Sequence, residues 1–124
     1  MTTVLWLAAA GAAGTLARWG LQGFVHTLQP TLFPWGTLAV NALGCFLFGL
    51  VWSLSEERLL VPPHIRLVVL TGFMGAFTTW SSYIFESAEL MRTGQWWLAA
   101  GNISLQHLLG LTGFFAGLAA GRKF

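Results

Sequence analysis

Four apolar stretches, about Val4 to Val25, Trp35 to Leu54, His64 to Ile84 and Trp97 to Ala119, occupy most of the chain, and each is long enough to cross a bilayer as a helix. No single motif constrains the fold as much. At roughly 20 residues per crossing, 124 residues allow four spans with short loops and little else. Only 8% of the residues are charged and 56% are hydrophobic, whereas a soluble domain carries about 25% charged residues, so the solvent implied is lipid. In lipid a span must satisfy its backbone N–H and C=O groups within the protein, which apolar runs of this length do as helices. The predicted fold is all-α, a single four-span membrane domain over residues 1–124 with no sizeable part outside the bilayer.

The ends and loops agree with this. Met1 to Gly11 has no positively charged start, and its apolar run continues to Arg18 without a cleavage site, so a retained first span is expected and not a signal peptide. Four spans put Arg58, Arg66, Arg122 and Lys123 on one side and Arg92 alone on the other, which favours both termini in the cytoplasm under the positive-inside rule. The six basic residues are scattered, and no footprint for nucleic acid is present. Cys45, the only cysteine, has no disulfide partner and reads as a small hydrophobe.

Polar residues within the spans carry the functional signal. Gly72 to Tyr83, GFMGAFTTWSSY, puts glycines, hydroxyls and aromatics in the middle of the third span, where a centrally broken helix is expected to put its carbonyls to use. Trp80 and Tyr83 are three apart and share a face; ring edges are positive and can meet an anion, although a kinked packing stripe has the same pattern. In the second span Thr37, Asn41 and Gly44 share a face, with Phe48 a turn further on. The Asn41 amide can either join helices or donate to an anion. Asn102, Ser104, Gln106 and His107 make the first half of the fourth span polar, and Asn102 and Gln106 face the same way. Arg18 either snorkels to an interface or borders an aqueous vestibule. Glu86 and Glu89 either pair or form a solvated helix end. Gly11 and Gly14 in the first span and Gly110, Gly113 and Gly117 in the fourth permit close helix contacts.

Nothing here resembles an active site. His26, His64 and His107 lie in different segments without ligand spacing, and the GxxG of Gly72 and Gly75 lacks the strand and lysine of a phosphate loop, so no enzyme is expected. Four helices enclose little space, and a path for ions or solutes implies a second copy, a homodimer.

The sequence resembles the CrcB or Fluc family of small fluoride channels, through GTLARW in the first span, FPWGTLAVNALGCFLFG in the second, GxxGxxTTxSxY with a following glutamate in the third, and a glycine-rich fourth. The resemblance covers most of the chain in the family order. It implies a dual-topology, antiparallel dimer with two pores that release fluoride passively and select against chloride, conferring fluoride resistance at the inner membrane. On this chain it implies Asn41 as a pore-lining amide, Arg18 as a vestibule arginine, and Thr79 and Ser81 in a polar track that Glu86 orients. Gly75 and Thr78 would give backbone carbonyls to a structural sodium ion on the dimer axis, which is not transported. Trp80 and Tyr83 stand where the family has two phenylalanines that meet fluoride, and Asn102 and Gln106 stand where many relatives have a tyrosine and a serine. Two other readings stay open: an altered partner subunit of a heterodimeric fluoride channel, and a small multidrug-type four-span transporter, for which spans one and two lack the expected carboxylate.

Overall fold

The computed structural model describes residues 1–124, and all of its regular structure is helical. Helix α1 (Thr2–Leu28) is followed by α2 (Trp35–Trp52), which runs on into a π-helical stretch at Ser53–Glu57. The third span is composite. It starts with α3 (Pro63–Leu67), widens into π-helical turns at Val68–Met74, tightens into α4 (Gly75–Phe77), and after Thr78 and Thr79 continues as α5 (Trp80–Arg92). Helix α6 (Trp96–Gly121) closes the fold. Four segments, Thr2–Leu28, Trp35–Glu57, Pro63–Arg92 and Trp96–Gly121, are long and apolar enough to cross a membrane.

The second and third segments outrun their apolar stretches, and their charged ends are paired. Arg122 grips Glu57 through Nε and Nη2 at 2.7 and 2.8 Å, and the Ser53 hydroxyl donates to the same carboxylate at 3.0 Å, so residues expected in a loop stay helical. Those hydrogen bonds hold the Arg122 guanidinium above its ordinary pKa. Arg66 pairs with Glu56 and lies 5.5 Å from the centroid of the Trp52 ring. Glu89 does not pair with Glu86; Arg92 takes it at 2.7 and 2.9 Å along the surface of α5. Gly94, at φ +79, then stops that helix, with Gln95 N–H donating to Leu90 O and Gly94 N–H to Met91 O, the two bonds of a Schellman motif.

Helix contacts depend on missing side chains. A Cβ at Gly117 would fall into the Phe46 carbonyl, and one at Gly49 into the Phe114 carbonyl, so α2 and α6 touch backbone to backbone. On the other side of the fold a Cβ at Gly14 would strike the Phe73 carbonyl, and one at Gly72 would lie 2.9 Å from Ala10 Cβ, which holds α1 against the π-helical turns. Val40, Leu70, Met74 and Phe77 form the small core between these contacts, with Leu21, Leu47 and Phe73 packed on it. The third span is thereby fixed from two sides at the point where it leaves helical geometry.

Candidate functional site

That point is Thr78 and Thr79. Their dihedrals, φ −77, ψ 158 and φ −147, ψ 105, are extended. Thr78 N–H still donates to Met74 O at 3.1 Å, but no backbone hydrogen bond reaches the carbonyls of Gly75 or Thr78 from residues further along. The two donors that a continuous helix would send them are engaged elsewhere. Thr79 N–H donates to Asn41 Oδ1 at 2.8 Å, and Ser82 N–H donates to Thr79 Oγ1 at 3.3 Å, which makes Thr79 the N-cap of α5.

Helix α2 supplies both the room and the clamp. A Cβ at Gly44 would collide with Thr78 Cγ2, so glycine admits the Thr78 side chain. One turn earlier, Asn41 accepts from Thr79 N–H and returns a hydrogen bond from Nδ2 to Thr79 O at 3.1 Å, replacing the missing ladder on both sides of that residue. The second Nδ2 hydrogen goes to Gln106 Oε1, also at 3.1 Å. From there a relay runs in one direction: Gln106 Nε2 donates to Asn102 Oδ1 at 3.4 Å, Asn102 Nδ2 to Ser87 Oγ at 2.9 Å, and Ser87 Oγ to Tyr83 O at 2.8 Å. Asn102 is wholly buried, and its amide is accounted for by this relay.

A slot of about 300 Å³ opens beside the clamp. Asn41, Cys45 and Phe48 of α2 form one wall, Gln106 and His107 of α6 another, and Trp80 and Tyr83 of α5 stand between them. The three rings meet edge to face: Trp80 and Tyr83 at 5.0 Å and 68°, Trp80 and His107 at 6.3 Å and 87°, Tyr83 and His107 at 6.1 Å and 73°. Tyr83 is 3% exposed and Trp80 is 67% exposed, so the tryptophan forms the open rim. No hydrogen bond within the chain uses the Tyr83 hydroxyl.

A second, polar recess of about 370 Å³ lies beneath the turn between α1 and α2. Gln22 and His26 of α1, Thr37 of α2 and Glu86 of α5 line it. Gln22 Nε2 donates to Thr37 Oγ1 at 3.1 Å, and Thr37 Oγ1 donates to Glu86 Oε1 at 2.7 Å. Glu86 is therefore not a solvated helix end. It is half-buried, and its Oε2 has no partner.

Of the residues singled out from sequence, Asn41, Thr79, Trp80, Tyr83 and Gln106 come together at the slot, and Thr78 joins them through its side chain. Asn102 stands behind the wall and Glu86 in the recess. Within one chain Arg18, Ser81 and Gly75 lie apart: Arg18 is half-buried on α1, and Ser81 and Gly75 face outward. Cys45 and His107 line the slot without having been assigned to it. For His107 a signal existed, since an ionisable side chain within a span is rare unless it faces a cavity.

Comparison with known proteins adds three findings. The family described as "CrcB-like protein, Camphor Resistance (CrcB)" matches residues 5–118. The fluoride-specific ion channel FluC of Nitrosococcus oceani is 54% identical over 112 residues, 90% of each chain. Proteins of the same name from Maridesulfovibrio salexigens and Geobacter sulfurreducens are 52% identical over 122 residues, covering 98% of this chain and 97% of that one, and 41% identical over 123 residues, covering 99% of both.

Proposed function

This chain belongs to the CrcB family, and from that premise we propose that it is a fluoride-selective ion channel, not an enzyme. It is a multi-pass membrane protein, and the observation that carries the reading is the slot at the start of α5. The first N–H groups of a helix lack intrahelical acceptors and lie at the positive end of its dipole, so the start of α5 favours negative charge. The edges of the Trp80 and Tyr83 rings and the Tyr83 hydroxyl add positive polarity without a permanent cation, which would hold the anion too tightly to release it. Asn41 shapes the wall, and its amide, now shared with Gln106, is the donor that a passing anion would compete for.

The opposite polarity lies two residues away. The carbonyls of Gly75 and Thr78 accept no backbone hydrogen bond, and Gly75 is exposed on the surface of the single chain. Hard oxygen donors at the end of an opened helix suit a sodium ion, and those two carbonyls would hold it together with the same pair from a second copy. Bound there, such an ion would add a fixed positive charge shared by the two copies. We further propose an antiparallel, dual-topology homodimer in the inner membrane, in which each copy completes the exposed rim at Trp80 of a slot. Arg18, near the mouth of the path, would gather anions from solution, and Ser81 would line the path on the side facing the partner. Glu86, held by Thr37, would orient the track from the recess. Fluoride would leave the cell down the membrane potential, which contributes about 2.3 kcal/mol per 100 mV for a single charge, so no coupling carboxylate is needed.

The test is fluoride efflux from liposomes containing the purified protein, read with a fluoride electrode. Fluoride should leave rapidly and chloride should be retained. A correctly folded dimer that passes no fluoride would sink the proposal.

A further inference from the structure

We infer that His107 is an anion-contacting wall of the slot whose protonation sets how strongly the anion is held, an inference that rests on the reading that an anion occupies the slot. The geometry leaves one nitrogen for this work. His107 Nδ1 lies 2.8 Å from the Ile103 carbonyl on its own helix, and a carbonyl can only accept, so that bond is made with hydrogen on Nδ1. Nε2, on the far edge of the ring, points away from that backbone, and no hydrogen bond within the chain uses it.

The state of Nε2 therefore decides what His107 offers the slot. In the neutral ring Nε2 is a lone pair and repels an anion. In the cationic ring it is an N–H that gives a charge-assisted hydrogen bond, and the ring edge beside Trp80 and Tyr83 becomes positive. Nothing else on the walls competes for that charge. The titratable groups facing His107 are Cys45 from α2 and Tyr83 from α5; the extended residues Thr78 and Thr79 carry none, α6 adds none besides His107 itself, and no carboxylate, lysine or arginine lines the slot. His107 lines the slot itself, so a proton would reach it along the path proposed for the anion.

Protonation and anion binding at one ring are reciprocal. If the anion binds the cationic form more tightly, saturating anion must strengthen proton binding by the same factor. The experiment follows the imidazole resonances of histidine-labelled protein in micelles between about pH 5 and 8, the range in which imidazoles change charge. His107 is assigned as the signal missing from His107→Gln, and the titration is run with sodium fluoride and again with sodium chloride. A coupling of about fivefold predicts that fluoride moves the midpoint up by about 0.7 pH units and that chloride moves it far less. In liposomes, with leak from protein-free vesicles subtracted, the fluoride concentration for half-maximal flux should fall about fivefold from pH 8 to pH 5.5, and His107→Gln should lose that dependence. A midpoint indifferent to fluoride, in protein that conducts, overturns the inference and leaves the channel reading intact. A midpoint that responds to fluoride in protein that passes none supports the site and overturns conduction instead.

Discussion

Replacing Asn41 with aspartate keeps the shape of the clamp on Thr79 and reverses part of its polarity. One carboxylate oxygen can still accept the Thr79 N–H, now 2.8 Å from Oδ1, but the other stands where Nδ2 donated to Thr79 O and Gln106 Oε1, both at 3.1 Å. The Gln106 side can adjust. Turning over the Gln106 and Asn102 amides and rotating the Ser87 hydroxyl gives each side-chain acceptor on that route a donor again, and releases only the Ser87 hydroxyl bond to Tyr83 O, because all the donors of the relay point one way. The Thr79 carbonyl has no such freedom, since it begins α5, and it is left facing a negative oxygen. An unsatisfied buried polar group costs about 1–3 kcal/mol and more when charge is involved, so Asn41→Asp should lose about 3 kcal/mol, a factor of roughly 150 in the folding equilibrium. An ordinary hydrogen bond between spans is worth about 0.6 kcal/mol, which sets the competing expectation. The assay is the folded fraction in mixed micelles of increasing SDS content, with fluoride efflux measured on the same preparation. Flux should fall at least tenfold, because the new charge would face the proposed anion path. A stability loss near 0.6 kcal/mol would refute the clamp, since Thr79 would then have found other partners.

Tyr83→Phe removes a hydroxyl that bonds to nothing in the chain, so stability should stay within about 0.5 kcal/mol, while the half-maximal fluoride concentration rises about fivefold, the worth of one hydrogen bond of about 1 kcal/mol. Unchanged fluoride affinity would take the hydroxyl out of the path. Gly117→Ala drives a methyl into the Phe46 carbonyl and must prise α2 from α6, for a loss of about 2 kcal/mol in the same SDS assay; a neutral result would mean that the two helices part freely. If sodium binds the proposed dimer at the Gly75 and Thr78 carbonyls, it should stabilise the fold by about 1.4 kcal/mol for each tenfold rise above its dissociation constant, and an organic cation too large for that site should not; equal stability in both salts would remove the cation from the fold.

The number of spans was legible because a run of apolar residues reports the length of a crossing directly. Its ends were less so, since Glu57 and Arg122 are 65 residues apart and their pairing, which keeps Ser53–Glu57 helical, leaves no local pattern. The same holds at the site. The spacing of Thr37, Asn41 and Gly44 shows that they share a face, but the partner of Asn41 is the backbone of Thr79, 38 residues away, and only tertiary packing brings the two together. Glu86 read as either a partner of Glu89 or a solvated end because its charged neighbours in sequence are Glu89 and Arg92; the residue that engages it, Thr37, is on another helix. His107 was marked as an ionisable residue within its span, but that local signal does not show that the rings of α5 wall the cavity it faces.

Thr78 and Thr79, the two extended residues of the third span, have a consequence for how such a chain can change. Opening a helix always produces two termini of opposite sign, and neither can be had alone. A substitution that lets residues 78 and 79 return to helical dihedrals would give the Gly75 and Thr78 carbonyls their N–H partners and, in the same movement, bury the donors at the start of α5. Loss of a cation site and loss of an anion path would then be inherited as one trait. Variants that separate them should be found only among side chains such as Tyr83 and His107, which border the opening without making it.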